Sequence, residues 1–251
     1  MTRIVIPYYP AGAQGRELEY AIEGWRRYFI EEHMIIVVGE GLDAIHSWCG
    51  GLPAPDVVLI ESPRVPAEDG QYRQHLDYVS CLRKVRERYP AEDGFIFVAD
   101  DCYAVNEFDL ADVKLLKMLG PTMGFSASSA NAWQRDKART KAVLERDGYP
   151  TRNFTTHLPQ WYDWRLLENL WRFYGMDGVS YVMEDLYYNI YCRRRIPFRL
   201  DRAADNFKLG VYGPMDETTI REAFTSKIWI TNSPEGWSDM LASLLRERYR
   251  L

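Results

Sequence analysis

Short apolar runs alternate with longer stretches of helical spacing through the first half of the chain. Arg3 to Tyr9 (RIVIPYY) is rich in β-branched and aromatic residues and predicts a strand, which Pro7 and Pro10 bring to an end. Pro10 to Gly15 (PAGAQG) is a small-residue loop. From Arg16 to Phe29, Leu18, Ala21, Ile22, Trp25 and Phe29 recur at helical spacing. Met34 to Val38 (MIIVV) predicts the next strand, closed by Gly39-Glu40-Gly41. Strand, helix and strand in this order form a βαβ unit, which implies a parallel pair with a right-handed crossover. The spacing then predicts a short helix at Ala44 to Cys49, a strand at Asp56 to Glu61, and a helix at Gln74 to Tyr89 with Pro90 beyond it. A strand at Phe95 to Ala99 and a helix at Leu110 to Leu119, stopped by Gly120-Pro121, complete this half.

The second half is less regular. Gly124 to Gln134 (GFSASSANAWQ) is small and polar, a loop in which Asn131 and Trp133 are candidates for ligand contact. Helices are predicted at Arg135 to Arg146, Trp161 to Tyr174, Tyr181 to Cys192 and Trp237 to Tyr249, with a strand at Lys227 to Thr231. Thr151 to Pro159 reads as irregular or a short strand. Trp161, Trp164 and Trp171 fall on one face of their predicted helix and read as core.

The stretch Phe95 to Cys102 (FIFVADDC) breaks the pattern. A buried apolar strand runs straight into two adjacent acids, Asp100 and Asp101. Like charges at the edge of a low-dielectric core are unfavourable without a cation. A hydrated divalent metal answers this, because hard cations take carboxylate oxygens. The plainer alternative is a pair of acids capping a turn.

Composition narrows the field. The 251 residues suffice for one large α/β domain, no linker divides them, and residues 1–251 are read as one unit. With 31 basic and 36 acidic side chains, the net charge of −5 argues against a general nucleic-acid binder. Cys49, Cys81, Cys102 and Cys192 form no C-x-x-C pair, which argues against a zinc or disulfide framework and fits a reducing cytoplasm. The chain starts Met-Thr-Arg and enters a strand at once, so no signal peptide is expected. No apolar run approaches the roughly 20 residues of a membrane span.

In parallel sheets ligands bind beyond the carboxyl ends of the strands. Pro7 to Gly15, Gly39 to Gly41, Glu61 to Pro63 and Asp100-Asp101 therefore share one rim. No G-x-G-x-x-G and no G-x-x-x-x-G-K-[ST] is present, so neither a dinucleotide site nor a P-loop is expected. Ala99-Asp100-Asp101 at a strand end resembles the acid motif of GT-A glycosyltransferases. The resemblance implies an α/β, GT-A-like fold with a mostly parallel central sheet flanked by helices. Residues 1–120 would be the nucleotide-sugar half and 121–251 the acceptor side. It also implies a nucleotide-diphosphate sugar donor, a carbohydrate or glycan acceptor, and Mn2+ or Mg2+ on Asp101 and Asp100. Pro7, Tyr8, Tyr9, Gly39 and Glu40 would line the nucleotide pocket, and Arg83 could reach the diphosphate. Glu184 and Asp185 match an acid pair that serves as base in such enzymes, the alternative being a solvated helix face. His157 suits acid, base, phosphate or metal contact, or equally a hydrogen-bonded histidine at a helix start.

Shorter blocks resemble the Stealth family of sugar-phosphate transferases. These are Glu17-Leu18-Glu19-Tyr20-Ala21-Ile22 followed by Ile35 to Gly39, Phe97 to Asp101, His157-Leu158-Pro159, and Ile230-Thr231-Asn232. Ala99 stands where that family has Asn, Ser233 where it has Asp, and its Trp-Val-Asp-Gly block is missing. Sugar-1-phosphate transfer, or a non-catalytic nucleotide- or glycan-binding relative, is the alternative. A nucleotidyltransferase ranks lower, since PAGAQGR is a poor phosphate loop. Arg193-Arg194-Arg195 could meet an anionic donor, a phospholipid-linked acceptor or water, so peripheral membrane contact stays open.

Overall fold

Alternation within the parallel strands builds the architecture. The computed structural model describes residues 1–47, 56–66, 73–124, 131–200 and 207–251. In chain order the first elements are β1 (Thr2–Tyr8), α1 (Glu17–Tyr28), β2 (His33–Gly39), β3 (Val57–Glu61), α2 (Gln74–Arg88) and β4 (Gly94–Phe97). Then come β5 (Cys102–Ala104), α3 (Leu110–Lys114), β6 (Lys117–Met118), α4 (Ala132–Arg146), β7 (Gln160–Asp163), α5 (Trp164–Tyr174) and α6 (Met183–Tyr191). The chain closes with β8 (Phe198–Arg199), β9 (Lys208–Val211), α7 (Glu217–Ser226), β10 (Trp229–Asn232) and α8 (Asp239–Tyr249).

The main sheet has the order β3-β2-β1-β4-β7, with β7 antiparallel to β4 and the other pairs parallel. Because successive strand side chains point to opposite faces, Val5, Ile36 and Val38 pack with Val79, Leu82 and Val85 of α2 and with α5 and α6. Ile4, Ile6, Ile35 and Val37 pack on the other face with Leu18, Ile22 and Trp25 of α1. A second sheet, β5-β10-β9, is covered by α7, α8 and the far flank of α1 through Tyr20, Tyr103, Ile220, Leu241 and Tyr249.

Two predicted helices are broken in the structure. Residues 161–174 divide into β7 and α5, so Trp161 lies in a strand and only Trp164 and Trp171 lie in the helix and its core. Asp163 is the hinge: its side chain accepts from Leu166 N at 2.9 Å as N-cap, while the preceding residues pair with β4. Residues 110–119 form a single helical turn, α3, opened by an Asp109–Asp112 capping box. The chain then extends at Leu115, and the Lys117 ammonium takes up the carbonyls of Asp112 and Leu115. The predicted helix over 44–49 is a 3-10 turn at Leu42–Ser47 as far as the described residues reach. Residues 48, 49 and 125–130 lie outside them. Asn131 is the N-cap of α4, accepting from Gln134 N at 2.8 Å. β5, β8, β9 and α7 were not expected from the apolar pattern.

Candidate functional site

The carboxyl ends of β1, β2, β3 and β4 meet at one rim, where a cavity of about 230 Å³ opens. Its walls include Pro7, Tyr8, Tyr9, Glu17, Arg64, Tyr78, Asp100, Asp101 and Asn232. The Arg64 guanidinium stacks over the Tyr9 ring. Gly39 ends β2 opposite Tyr8, and a Cβ there would lie 1.9 Å from the Tyr8 carbonyl oxygen. Only glycine lets the two strand ends stay this close. Glu40 is exposed and accepts from Arg64 N at 3.1 Å. Gly39 and Glu40 thus support Tyr8 and Arg64 from behind the wall. Arg83 is elsewhere: it pairs with Asp177 at 2.7 Å on the surface and sits over Trp171, away from the cavity. Arg64, not Arg83, lines the cavity.

Asp100 and Asp101 stand in the turn between β4 and β5. Desolvation, then the mutual repulsion of the pair and Glu17, pushes Asp100 well above the usual carboxylate range. Asp101 is raised by desolvation and by Glu17, with Lys208 pulling the other way. Asp101 Oδ1 is buried with no hydrogen-bond partner. Glu17 is itself raised by burial, although its carboxylate accepts from Asn232 Nδ2 at 2.7 Å and from Gln14 N at 2.6 Å. Asn232 in turn accepts from the Tyr103 hydroxyl at 2.6 Å. Among the described residues no group of three His, Cys, Asp or Glu side chains is arranged to hold a metal ion alone. Two repelling carboxylates with a stranded oxygen do suit Mg2+ or Mn2+, which bind through one or two carboxylates plus waters and substrate phosphates.

A second chamber of about 80 Å³ adjoins the first, sharing Gln74 and Tyr78 with it. Ala99, Trp133, His157 and Glu184 line it. Burial, then the neighbouring Asp185 charge, raises the Glu184 carboxyl to about 7, while Lys137 opposes the shift. Asp185 faces the other way. It is fully buried, lies 2.9 Å from the Lys137 ammonium and accepts from Phe154 N at 2.6 Å. Its surroundings are those of a structural ion pair, not of a base open to substrate.

His157 adopts φ 56°, a left-handed conformation unusual for a non-glycine residue. Part of its surface meets solvent, but the protein around its ring and then Lys208 and Lys137 pull its imidazole down to about 4. The shift favours the neutral imidazole, a hydrogen-bonding group. His75, unremarked in the sequence, also lines the chamber. It is buried, held near 3 by desolvation and Lys137, and neither ring nitrogen has a hydrogen-bond partner. A third cavity, of about 360 Å³, shares Thr156, Leu158 and Gln160 with the chamber. Trp161, Tyr187, Tyr188, Lys114 and Arg195 line it, and among the described residues no acid does.

No protein-family model matches the sequence, and no curated protein is significantly similar to it. Solved structures do resemble it. The apo structure of the bifunctional glycosyltransferase WbbM superposes with a TM-score of 0.52 at 14% identity, over 99% of this chain and 49% of that one. The galactosyltransferase LgtC, in complex with donor and acceptor sugar analogs, superposes with a TM-score of 0.50 at 12% identity, over 99% and 95%. The fold is that of the GT-A glycosyltransferases. The chain spans about half the length of WbbM. As a GT-A fold, the β1–β4 rim with Asp100-Asp101 at its edge occupies the place expected from the sequence. Glu17, Arg64 and Asn232 join that rim from three separate parts of the chain; Arg64 is in none of the sequence motifs, whereas Glu17 and Asn232 come from two of the Stealth-like blocks.

Proposed function

We propose that this chain is a transferase that moves a sugar from a nucleotide-diphosphate sugar to a carbohydrate or glycan acceptor, with Mn2+ or Mg2+ held by Asp101 and Asp100. The observation that carries this reading is the carboxylate pair: raised by burial and repulsion, with Asp101 Oδ1 stranded, on the wall of a cavity at the rim of a GT-A sheet. Bound there, the cation would neutralise the charge developing on a leaving diphosphate. Tyr8, Tyr9 and Arg64 would hold the nucleotide. The aromatic and cationic cavity beyond the chamber would take the acceptor. Between them Glu184, with its proton affinity near neutrality, suits the base that draws the proton from an attacking hydroxyl in an inverting reaction. The structure of LgtC with donor and acceptor sugar analogs supports the same use of this fold.

A specific contact favours a second reading, sugar-1-phosphate transfer. Glu17 and Asn232 come from two of the blocks that resemble Stealth transferases, and they bond directly at 2.7 Å beside the acid pair. The two readings differ in the leaving group. Sugar transfer releases a nucleoside diphosphate, whereas phosphosugar transfer releases a nucleoside monophosphate.

Thermal melting with a panel of nucleoside diphosphates and Mn2+ tests nucleotide binding. A ligand at about a hundred times its Kd should stabilise by roughly 2.7 kcal/mol. Asp101→Asn should remove the metal-dependent part of the shift and leave the fold intact. No shift with any common nucleoside diphosphate would sink the proposal.

A further inference from the structure

The parallel pairing of β6 with β8 lays residues 115–119 alongside 196–199. Phe198 N donates to Leu116 O at 2.7 Å and Leu200 N to Met118 O at 2.9 Å. Four large apolar side chains are left in solvent on this ribbon: Leu115 is 42% exposed, Leu119 38%, Phe198 44% and Ile196 96%. An isolated exposed leucine is ordinary, but four large apolar side chains exposed on one short ribbon among basic residues mark an interaction surface. The rim is basic. Lys114, Arg193, Arg194, Arg195 and Arg199 are all exposed, and residues 114–119 and 193–199 contain no acid.

This concentration runs against the chain as a whole, whose net charge is −5. Several other exposed arginines pair with carboxylates. Arg221 pairs with both Glu217 and Glu247, Arg27 with Glu23 and Arg146 with Asp147. Among the described residues no carboxylate pairs with Lys114 or with Arg193, Arg194, Arg195 or Arg199, and no helix is long and apolar enough to cross a membrane. A second copy of the chain docked here by a two-fold axis would set the arginines against themselves.

We propose that this face docks on an anionic lipid bilayer. Ile196, Phe198, Leu115 and Leu119 would enter the headgroup boundary, and the arginines would meet lipid phosphates while their stems lie along apolar surface. Lys114 and Arg195 also line the 360 Å³ cavity, so docking sets its mouth at the lipid surface. The inference stands on the surface alone and does not depend on sugar transfer.

Flotation of the full chain with vesicles tests it. Binding is expected to mixed phosphatidylcholine–phosphatidylglycerol vesicles, to weaken in high salt, and to be absent with phosphatidylcholine alone. Ile196→Asp should abolish it. Arg193→Gln, Arg194→Gln and Arg199→Gln should each lower partitioning roughly fivefold. These variants should melt like the wild type and keep its nucleotide-induced shift, which separates this test from that of the proposed function. Failure of the wild type to float with anionic vesicles, or flotation indifferent to the substitutions, overturns the proposal. So does a dimer in sedimentation velocity that Ile196→Asp dissociates without any vesicle binding, because the face would then be a self-association surface.

Discussion

Glu184 and Asp185 share the first turn of α6, yet about 100° of helical rotation separates them and their carboxylates meet different surroundings. Asp185 turns into the core toward Lys137, whereas Glu184 lines the chamber beside His157. Burial raises Glu184 from the ordinary 4.5 to about 7, so the folded chain holds a proton that the unfolded chain releases. Its contribution to stability is full below about 4.5 and is lost as pH rises toward 7. Glu184→Gln should remove this part of the falling stability, read from denaturant midpoints across that window. For turnover the sign reverses, because a base works only when deprotonated. The rate should climb through about pH 7 in the wild type. Glu184→Gln should lower kcat by roughly 10²–10⁴ and abolish that limb; a glutamine variant that keeps both rate and limb would remove Glu184 from the chemistry.

At the scale of elements, the Lys137–Asp185 pair ties α4 to α6. Both side chains are fully buried, and Lys137 also donates to Asn153 Oδ1 at 2.7 Å and to Thr155 Oγ1. A buried pair is weak evidence of net stabilisation, because desolvation opposes the attraction, but breaking one side strands a charge. Lys137→Met or Asp185→Leu alone should cost about 3–5 kcal/mol, and the double substitution less than either. Urea denaturation of the three variants measures this, and additive losses would show that the partners act independently. The boundary between β7 and α5 has a similarly local cause. An apolar run starting at Trp161 has helical spacing, but β4 would otherwise be an open edge, and Asp163 serves both as last strand residue and as N-cap. The edge strand takes the residues before the cap, and the helix starts after it.

Across the whole molecule the two chain halves interleave. β7 completes the sheet begun by β1 to β4, and β10 pairs with β5. The Asn232–Glu17 bond at 2.7 Å closes a sequence separation of 215 residues beside the acid pair. Unfolding the second half would therefore expose the faces of the first. A single calorimetric transition is expected, with calorimetric and van't Hoff enthalpies in agreement. Two resolved transitions would mean that the halves fold independently and that the shared sheets hold little of the stability.

The parallel α/β character, the strand-ending loops and the acid pair were legible in the chain itself, because each is a local pattern. Apolar runs with β-branched residues stop at Gly, Pro or Asp, and carboxylates follow a buried strand whatever the rest of the chain does. Tertiary structure decided which neighbours those acids have. Arg83 and Arg64 carry the same charge, but long-range packing sends one to Asp177 on the surface and the other over Tyr9 on the cavity wall. Glu184 and Asp185 are adjacent letters, distinguished only by what α4 brings to the buried side of α6. Two-residue strands such as β6 and β8 have no periodicity to detect, and they form because each supplies the other's backbone partners. Desolvation and charge at the rim are sums over side chains far apart in sequence, so only the folded chain sets the protonation of its acids.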